Sequence, residues 1–206
     1  MATTSADFSS PDGVILRSPS KYASSSGISF KPPSLEWLTR TWSVTHSTLS
    51  MWRSARNVRI TYKPLPPSKD GARERIDDLV EYEKLDGKGV VKSVAGTDTV
   101  ETVGDATSWN WRGKGLLGLL TSHWEVLGWG ERTLVDGTTE RWVVTWFAAT
   151  LFTKEGLDIY CDRKEGVSQE TVDAILAQFK RLEAKSVADL VTKDMVPVAI
   201  NLPWKE

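Results

Sequence analysis

A single cysteine, Cys161, leaves no partner for an intramolecular disulfide, and two histidines, His46 and His123, are too few to complete a zinc site with it. Charge of one sign is also missing. The chain sets 26 Lys and Arg against 27 Asp and Glu, a formal net charge of −1, so no basic field draws it to nucleic acid or anionic lipid. No apolar run approaches the roughly 18 residues of a membrane helix, and no charged-then-apolar signal peptide opens the sequence. A Gly-x-Ser-x-Gly elbow and a dinucleotide fingerprint after a strand are absent too. These absences predict a cytoplasmic protein of a reducing compartment with no metal, no cofactor, no nucleic-acid partner and no membrane.

What is abundant is tryptophan. Ten of them, mostly inside strand-like runs, predict a core or cavity walled by indole rings. Residues 35–49, LEWLTRTWSVTHSTL, organise the pattern. A helical turn at Leu35, Trp37 and Leu38, capped by Ser34, runs into a strand in which Trp42, Val44, His46 and Thr48 share one face. Seven further strands are expected at about 57–63, 75–85, 89–97, 106–112, 122–132, 139–150 and 157–162. Asp86-Gly87 and Asp136-Gly137 mark hairpin turns. After Ser168, the residues Val172, Ile175, Leu176, Phe179 and Leu182 recur at helical spacing and predict an amphipathic helix on the outside of the sheet.

The fold class is therefore mainly β: an eight-stranded antiparallel up-and-down barrel with one C-terminal α-helix packed outside. Residues 1–31, rich in Ser, read as a flexible arm in which Leu16 and Arg17 leave a targeting segment open; 32–183 are the barrel plus helix. Residues 184–206 are a tail, apolar enough to cover one barrel wall or to meet a second subunit in a homodimer. The segment 113–120, GKGLLGLL, lacks the spacing of a phosphate loop and suits a lid at the barrel mouth or an interaction patch.

This plan resembles the lipocalins within the calycin group. The resemblance rests on Trp42 in the first strand, on Arg163 after the last strand, and on the helix from Ser168. The glycine two positions before the tryptophan is replaced by Arg40, and the Thr-Asp-Tyr motif between the sixth and seventh strands by ERTLVDGTTER. The resemblance implies that Arg163 lies across Trp42 and closes the narrow end, a stacking worth about 0.5 to 2 kcal/mol. It also implies a hydrophobic small-molecule ligand.

Among residues able to do chemistry, His46 shares the face of Trp42 and would donate or accept a proton near neutral pH. A hydrogen-bonded core histidine is its ordinary alternative. Tyr62 is the second catalytic candidate. Asp78 and Tyr82 join the site if their faces point inward, and Trp52, Trp109, Trp111, Trp124, Trp142 and Trp146 are candidates for the pocket wall. Arg53, on the first loop, would greet an acidic ligand at the mouth, and Glu125 reads as solvated if Trp124 points inward. Two functional readings follow. One is a cofactor-free cyclase or isomerase acting on a flat aromatic substrate by proton transfer, a plan similar to the small lipocalin-like cyclases of fungal polyketide pathways. The other is a non-catalytic carrier of a hydrophobic ligand. An interaction protein built on GLLGLL and the tail is a third class.

Overall fold

Alternating side chains and two Asp-Gly turns are enough to lay down a meander, and the sheet closes on itself. In a computed structural model, which describes residues 13–23, 30–68, 73–87, 89–151 and 153–205, the strands are β1 (Thr41–Ser47), β2 (Ala55–Leu65), β3 (Arg75–Lys84), β4 (Val91–Thr102), β5 (Asp105–Gly113), β6 (Thr121–Thr133), β7 (Thr139–Phe147) and β8 (Gly156–Cys161). Each pairs antiparallel with the next, and β8 returns to β1, which also pairs β2. The result is a closed eight-stranded up-and-down barrel. Gly87 and Gly137 take φ of 80° and 82°, the left-handed region, at the ends of turns that each closes by donating its N–H, to the carbonyls of Lys84 and Leu134.

The wall separates two apolar clusters. Inside lie Trp42, Val58, Ile60, Tyr62, Ile76, Trp109, Trp124, Val143 and Tyr160. Outside, against β6 to β8, lie Leu127, Trp142, Val144, Trp146, Leu157 and Ile159. The outer cluster is covered by α2 (Gln169–Phe179) and α3 (Lys185–Asp194) through Ile175, Phe179, Val187 and Val191, and by Val14 and Leu16. Strands buried on both faces read as continuous apolar runs. Ser168 caps α2 by accepting from Thr171 N, and the buried Glu140 carboxylate accepts from Ser168 N at 2.6 Å and its hydroxyl at 2.8 Å.

Several details differ from the expectations above. Two C-terminal helices are present, because Val187, Ala188 and Val191 give the first half of the tail an apolar face of its own. Residues 13–23 pack on the barrel: Val14 and Leu16 are buried, and Arg17 pairs with Glu125 at 2.7 Å. The arginine over Trp42 is Arg40, 5.4 Å from its ring and 5.2 Å from that of Trp37, whereas Arg163 turns to Glu140 at 3.4 Å. The short α1 (Leu35–Leu38) closes this end, its Leu38 carbonyl accepting from Trp42 Nε1 at 2.9 Å.

β1 and β2 pair only over Thr41–Ser43 and then diverge. The C-terminal segment enters that gap. β9 (Val196–Pro197) pairs with His46 and Ser47, Val198 N donates to Thr45 O, and Asn57 N donates to Ala199 O. Asn57, at φ 52° in a bulge of β2, holds the segment with its amide, donating to Asn201 O at 2.8 Å and accepting from Asn201 N at 2.7 Å.

Candidate functional site

Pairing register decides which side chains share the interior. Asp78 on β3 stands opposite Gly96 on β4, and Asp98 opposite Ile76. Gly96 is required by its neighbour: a Cβ there would sit 1.9 Å from Trp111 Nε1, so the missing side chain is the space the indole occupies. Below it, three aromatic rings lie nearly parallel. Tyr62 and Trp124 stack at 5.7 Å and 5°, and Trp124 and Trp109 at 5.7 Å and 12°. Above this floor is a cavity of about 620 Å³, lined by Trp52, Ile60, Tyr62, Asp78, Val80, Trp111, Trp124, Phe147, Asp158 and Tyr160. Its rim includes Met51, Leu119, Leu151 and Lys154, with Leu119 and Leu151 almost wholly exposed.

Carboxyl groups in this apolar space have few donors. Asp78 is 7% exposed and its Oδ1 makes no hydrogen bond among the described residues. Asp98, fully buried beneath the floor, accepts from Trp124 Nε1 at 2.8 Å through Oδ1, while its Oδ2 has no partner. Asp158 is 1% exposed with Oδ1 unpartnered. Burial pushes Asp78 up to about 7, Asp77 adds to that and Lys114 opposes it. Asp98 is raised well above the carboxylate range by burial and by Asp78, against the Trp124 donor. Burial also raises Asp158 to about 7, with Ser47, Trp52 and Arg53 offsetting part. Two like charges cannot both ionise cheaply in such a space, so Asp78 and Asp98 hold a proton at neutral pH. Tyr62 and Tyr160 are raised mainly by burial and are neutral phenols. The Tyr160 hydroxyl faces those of Tyr62 and Thr145 without reaching hydrogen-bonding geometry.

Of the residues singled out from the sequence, Tyr62, Asp78, Trp52, Trp111 and Trp124 come together on the cavity. Trp109 lies one ring deeper, and Tyr82 packs edge-on against Trp52 at 5.5 Å. His46 does not reach the interior. A bulge between Val44 and His46 shifts the phase of β1, placing Val44 opposite the inward Tyr160, Ser47 opposite the inward Asp158, and His46 opposite the outward Ile159, beside Pro197. Burial lowers its pKa below the usual histidine value. Trp142 and Trp146 belong to the outer cluster, because β7 turns Val143, Thr145 and Phe147 the other way. Arg53 donates to the carbonyls of Ser47 at 3.0 Å and Asp194 at 2.6 Å and so ties α3 to the first loop. Glu125 is indeed outside, yet not solvated: Arg17 and Ser20 cover it completely.

Asp98, Asp158 and Tyr160 were not singled out. One signal for Asp158 was its place in GLDIYC, a strand otherwise without charge. Among the described residues no group of three or more His, Cys, Asp or Glu is arranged to hold a metal ion, and no helix is long and apolar enough to cross a membrane.

Among solved structures, the chain is similar to lobster apocrustacyanin A1, at 12% identity over 80% of this chain and 78% of that one, with a TM-score of 0.49. It is likewise similar to apocrustacyanin C1, at 13% identity, the same coverages and a TM-score of 0.49. No protein-family model and no curated protein matches the chain.

Proposed function

We propose that this protein binds a flat, hydrophobic small molecule with an aromatic body in the open half of its barrel. The observation that carries the reading is the 620 Å³ cavity above a stacked Tyr62–Trp124–Trp109 floor, because planar rings gain offset stacking as well as burial in such a space. Titration with the neutral fluorophore N-phenyl-1-naphthylamine tests it. Saturable one-to-one binding is expected, weakened about tenfold by Trp111→Ala, since an aromatic contact is worth roughly 0.5 to 1.5 kcal/mol beyond its buried area. Absence of saturation, or identical affinity in Trp111→Ala, refutes it.

A second reading, turnover of the bound molecule, is favoured by the Asp78–Asp98 pair. A carboxylate beside a carboxylic acid can take a proton from one atom of a substrate and return one to another, an isomerisation or ring closure that conserves mass. In this reading Asp78 takes the role expected of His46, with the neutral Tyr62 hydroxyl as a hydrogen-bond donor. Incubation of a catalytic amount of protein with a small-molecule extract of its source distinguishes the two. Many-fold conversion to a species of equal mass, abolished by Asp78→Asn, supports catalysis. Withdrawal of one equivalent, recovered unchanged on denaturation, supports a carrier.

A further inference from the structure

The cavity is lopsided in charge. Asp78 and Asp158 face it with unpartnered oxygens, Asp98 stands behind the floor, and among the described residues no arginine lines it. Lys154, the one lysine among the described lining residues, sits on the rim, while Lys114 is engaged with Asp77 outside. Arg53 is near enough to Asp158 to act on it, but the two hydrogen bonds of its Nη2 go to the backbone carbonyls of Ser47 and Asp194. The three acids equally buried on the outer side of this wall, Glu83, Glu125 and Glu140, all have cationic or backbone donors. Oδ1 of Asp78 and of Asp158 has no donor among the described residues, and an unmet acceptor in a dry space costs about 1 to 3 kcal/mol, more if charged. The polar Tyr160 hydroxyl, fully buried and aimed at the same region, is likewise without a hydrogen bond. The walls around these oxygens include the aromatic rings of Trp111, Trp124 and Tyr62, and such rings attract cations.

Resting on the reading of the barrel as a small-molecule site, we propose that its ligand is an organic ammonium ion, its charged nitrogen donating to Asp78 and its apolar body packing against Trp111 and Trp124. A protonated amine supplies the donor that Asp78 Oδ1 lacks, and its charge relieves the repulsion between Asp78 and its neighbour Asp98. A neutral ligand would leave the acids protonated, and an anionic one would meet them head-on. Arg53, expected from the sequence to greet an acid, is not among the residues that line the cavity.

Three probes of one size separate the outcomes: 2-naphthylmethylamine, 2-naphthylmethanol and 2-naphthoate, titrated calorimetrically at pH 8. The amine is expected to bind at least about tenfold more tightly than the alcohol, as charge-assisted hydrogen bonds are roughly twice as strong as neutral ones, and the acid most weakly. Asp78→Asn is expected to remove the preference for the amine over the alcohol. In the unaltered protein the amine should also bind about tenfold more weakly at pH 6 than at pH 8, because Asp78 must lose its proton to receive it. The groups facing Asp78 are Asp98 from β4, Tyr62 from β2 and Tyr160 from β8, with Asp77 and Lys114 on its outer side. Alcohol binding as tight as amine binding, or amine affinity flat between pH 6 and 8, overturns the ammonium assignment and leaves the cavity reading standing. Failure of all three probes to bind overturns both. The pH series on the unaltered protein decides the matter even if Asp78→Asn does not fold.

Discussion

Six carboxylic acids are buried in the described wall of this barrel, three facing the interior and three the outer side, and the two sets live by opposite rules. Outside, Glu125 is held by Arg17 at 2.7 Å, by Ser20 N at 3.0 Å and by His123 at 3.4 Å. Burial raises it, but these donors outweigh burial and bring it down to about 2. Glu83 is likewise below its usual value, the Asn57 and Arg56 donors overcoming the effect of burial, and Glu140 accepts from Ser168 and Arg163. Inside, Asp78, Asp98 and Asp158 have the same burial and are raised. The difference is supply of donors, not depth. Outer acids are fasteners: each pins a segment that wraps the barrel, residues 17–20, the C-terminal segment, or the start of α2. Inside, Asp98 holds only the Trp124 indole, and Asp78 and Asp158 each face the cavity with an unpartnered oxygen, which is the property expected of groups kept for a ligand.

The sharpest way to break the comparison is to remove an outer partner. Arg17→Ala leaves Glu125 buried with only neutral donors and a histidine, and should cost about 3 to 5 kcal/mol in urea unfolding. A smaller change than about 1 kcal/mol would mean that the ion pair is not what holds residues 13–23. Next in size is the reverse experiment inside. Asp158 in the folded state titrates at about 7 against an ordinary 3.8, so between those values the folded chain binds a proton that the unfolded chain does not. Its contribution to stability therefore falls as pH rises from about 4 to 7 and is level above that. Asp158→Asn should remove the fall and raise stability at pH 8 by about 2 to 4 kcal/mol with little change at pH 4. Glu125 has the opposite sign, its contribution present above pH 4.5 and lost as pH falls toward 2. Unfolding curves of the unaltered protein and of Asp158→Asn at pH 2, 4, 6 and 8 read both.

Two smaller effects refine the picture at the closed end and on β1. Arg40→Ala removes the guanidinium over Trp37 and Trp42 and should cost about 0.5 to 2 kcal/mol, whereas Arg163→Ala should leave the Trp42 environment unaltered by near-ultraviolet circular dichroism. His46→Ala should change stability by less than about 1 kcal/mol and leave probe affinity as it was, because the ring lies outside the wall. A loss of binding in that variant would refute the placement of the bulge.

The strands were legible because alternation with period two survives wherever one face meets water, as in β2 and β3, and because Asp-Gly leaves little choice of turn. Tyr62 and Trp111 could be placed on the cavity for the same reason, whereas alternation alone left the inward faces of β3 and β6, and with them Asp78 and Trp124, open. Phase was legible only where nothing interrupted it. One bulge after Val44 turned His46 out and Ser47 in, and no residue type in TWSVTHS announces it. In β7 both faces are apolar, so the choice between Trp146 and Phe147 as the inward residue rests on closure of the barrel and on what covers its outside.

By itself, then, the sequence determined the number and order of strands, the caps and turns that connect them, and the richness in indole that makes a cavity aromatic. Those are properties of neighbours along the chain. Only the tertiary structure decided which acids are fasteners and which face a ligand, because an aspartate's charge state depends on the donors around it. Those donors come from segments far away in sequence: Arg17 and Ser20 reach Glu125 across 105 residues or more, while none of the described residues donates to Asp78 Oδ1.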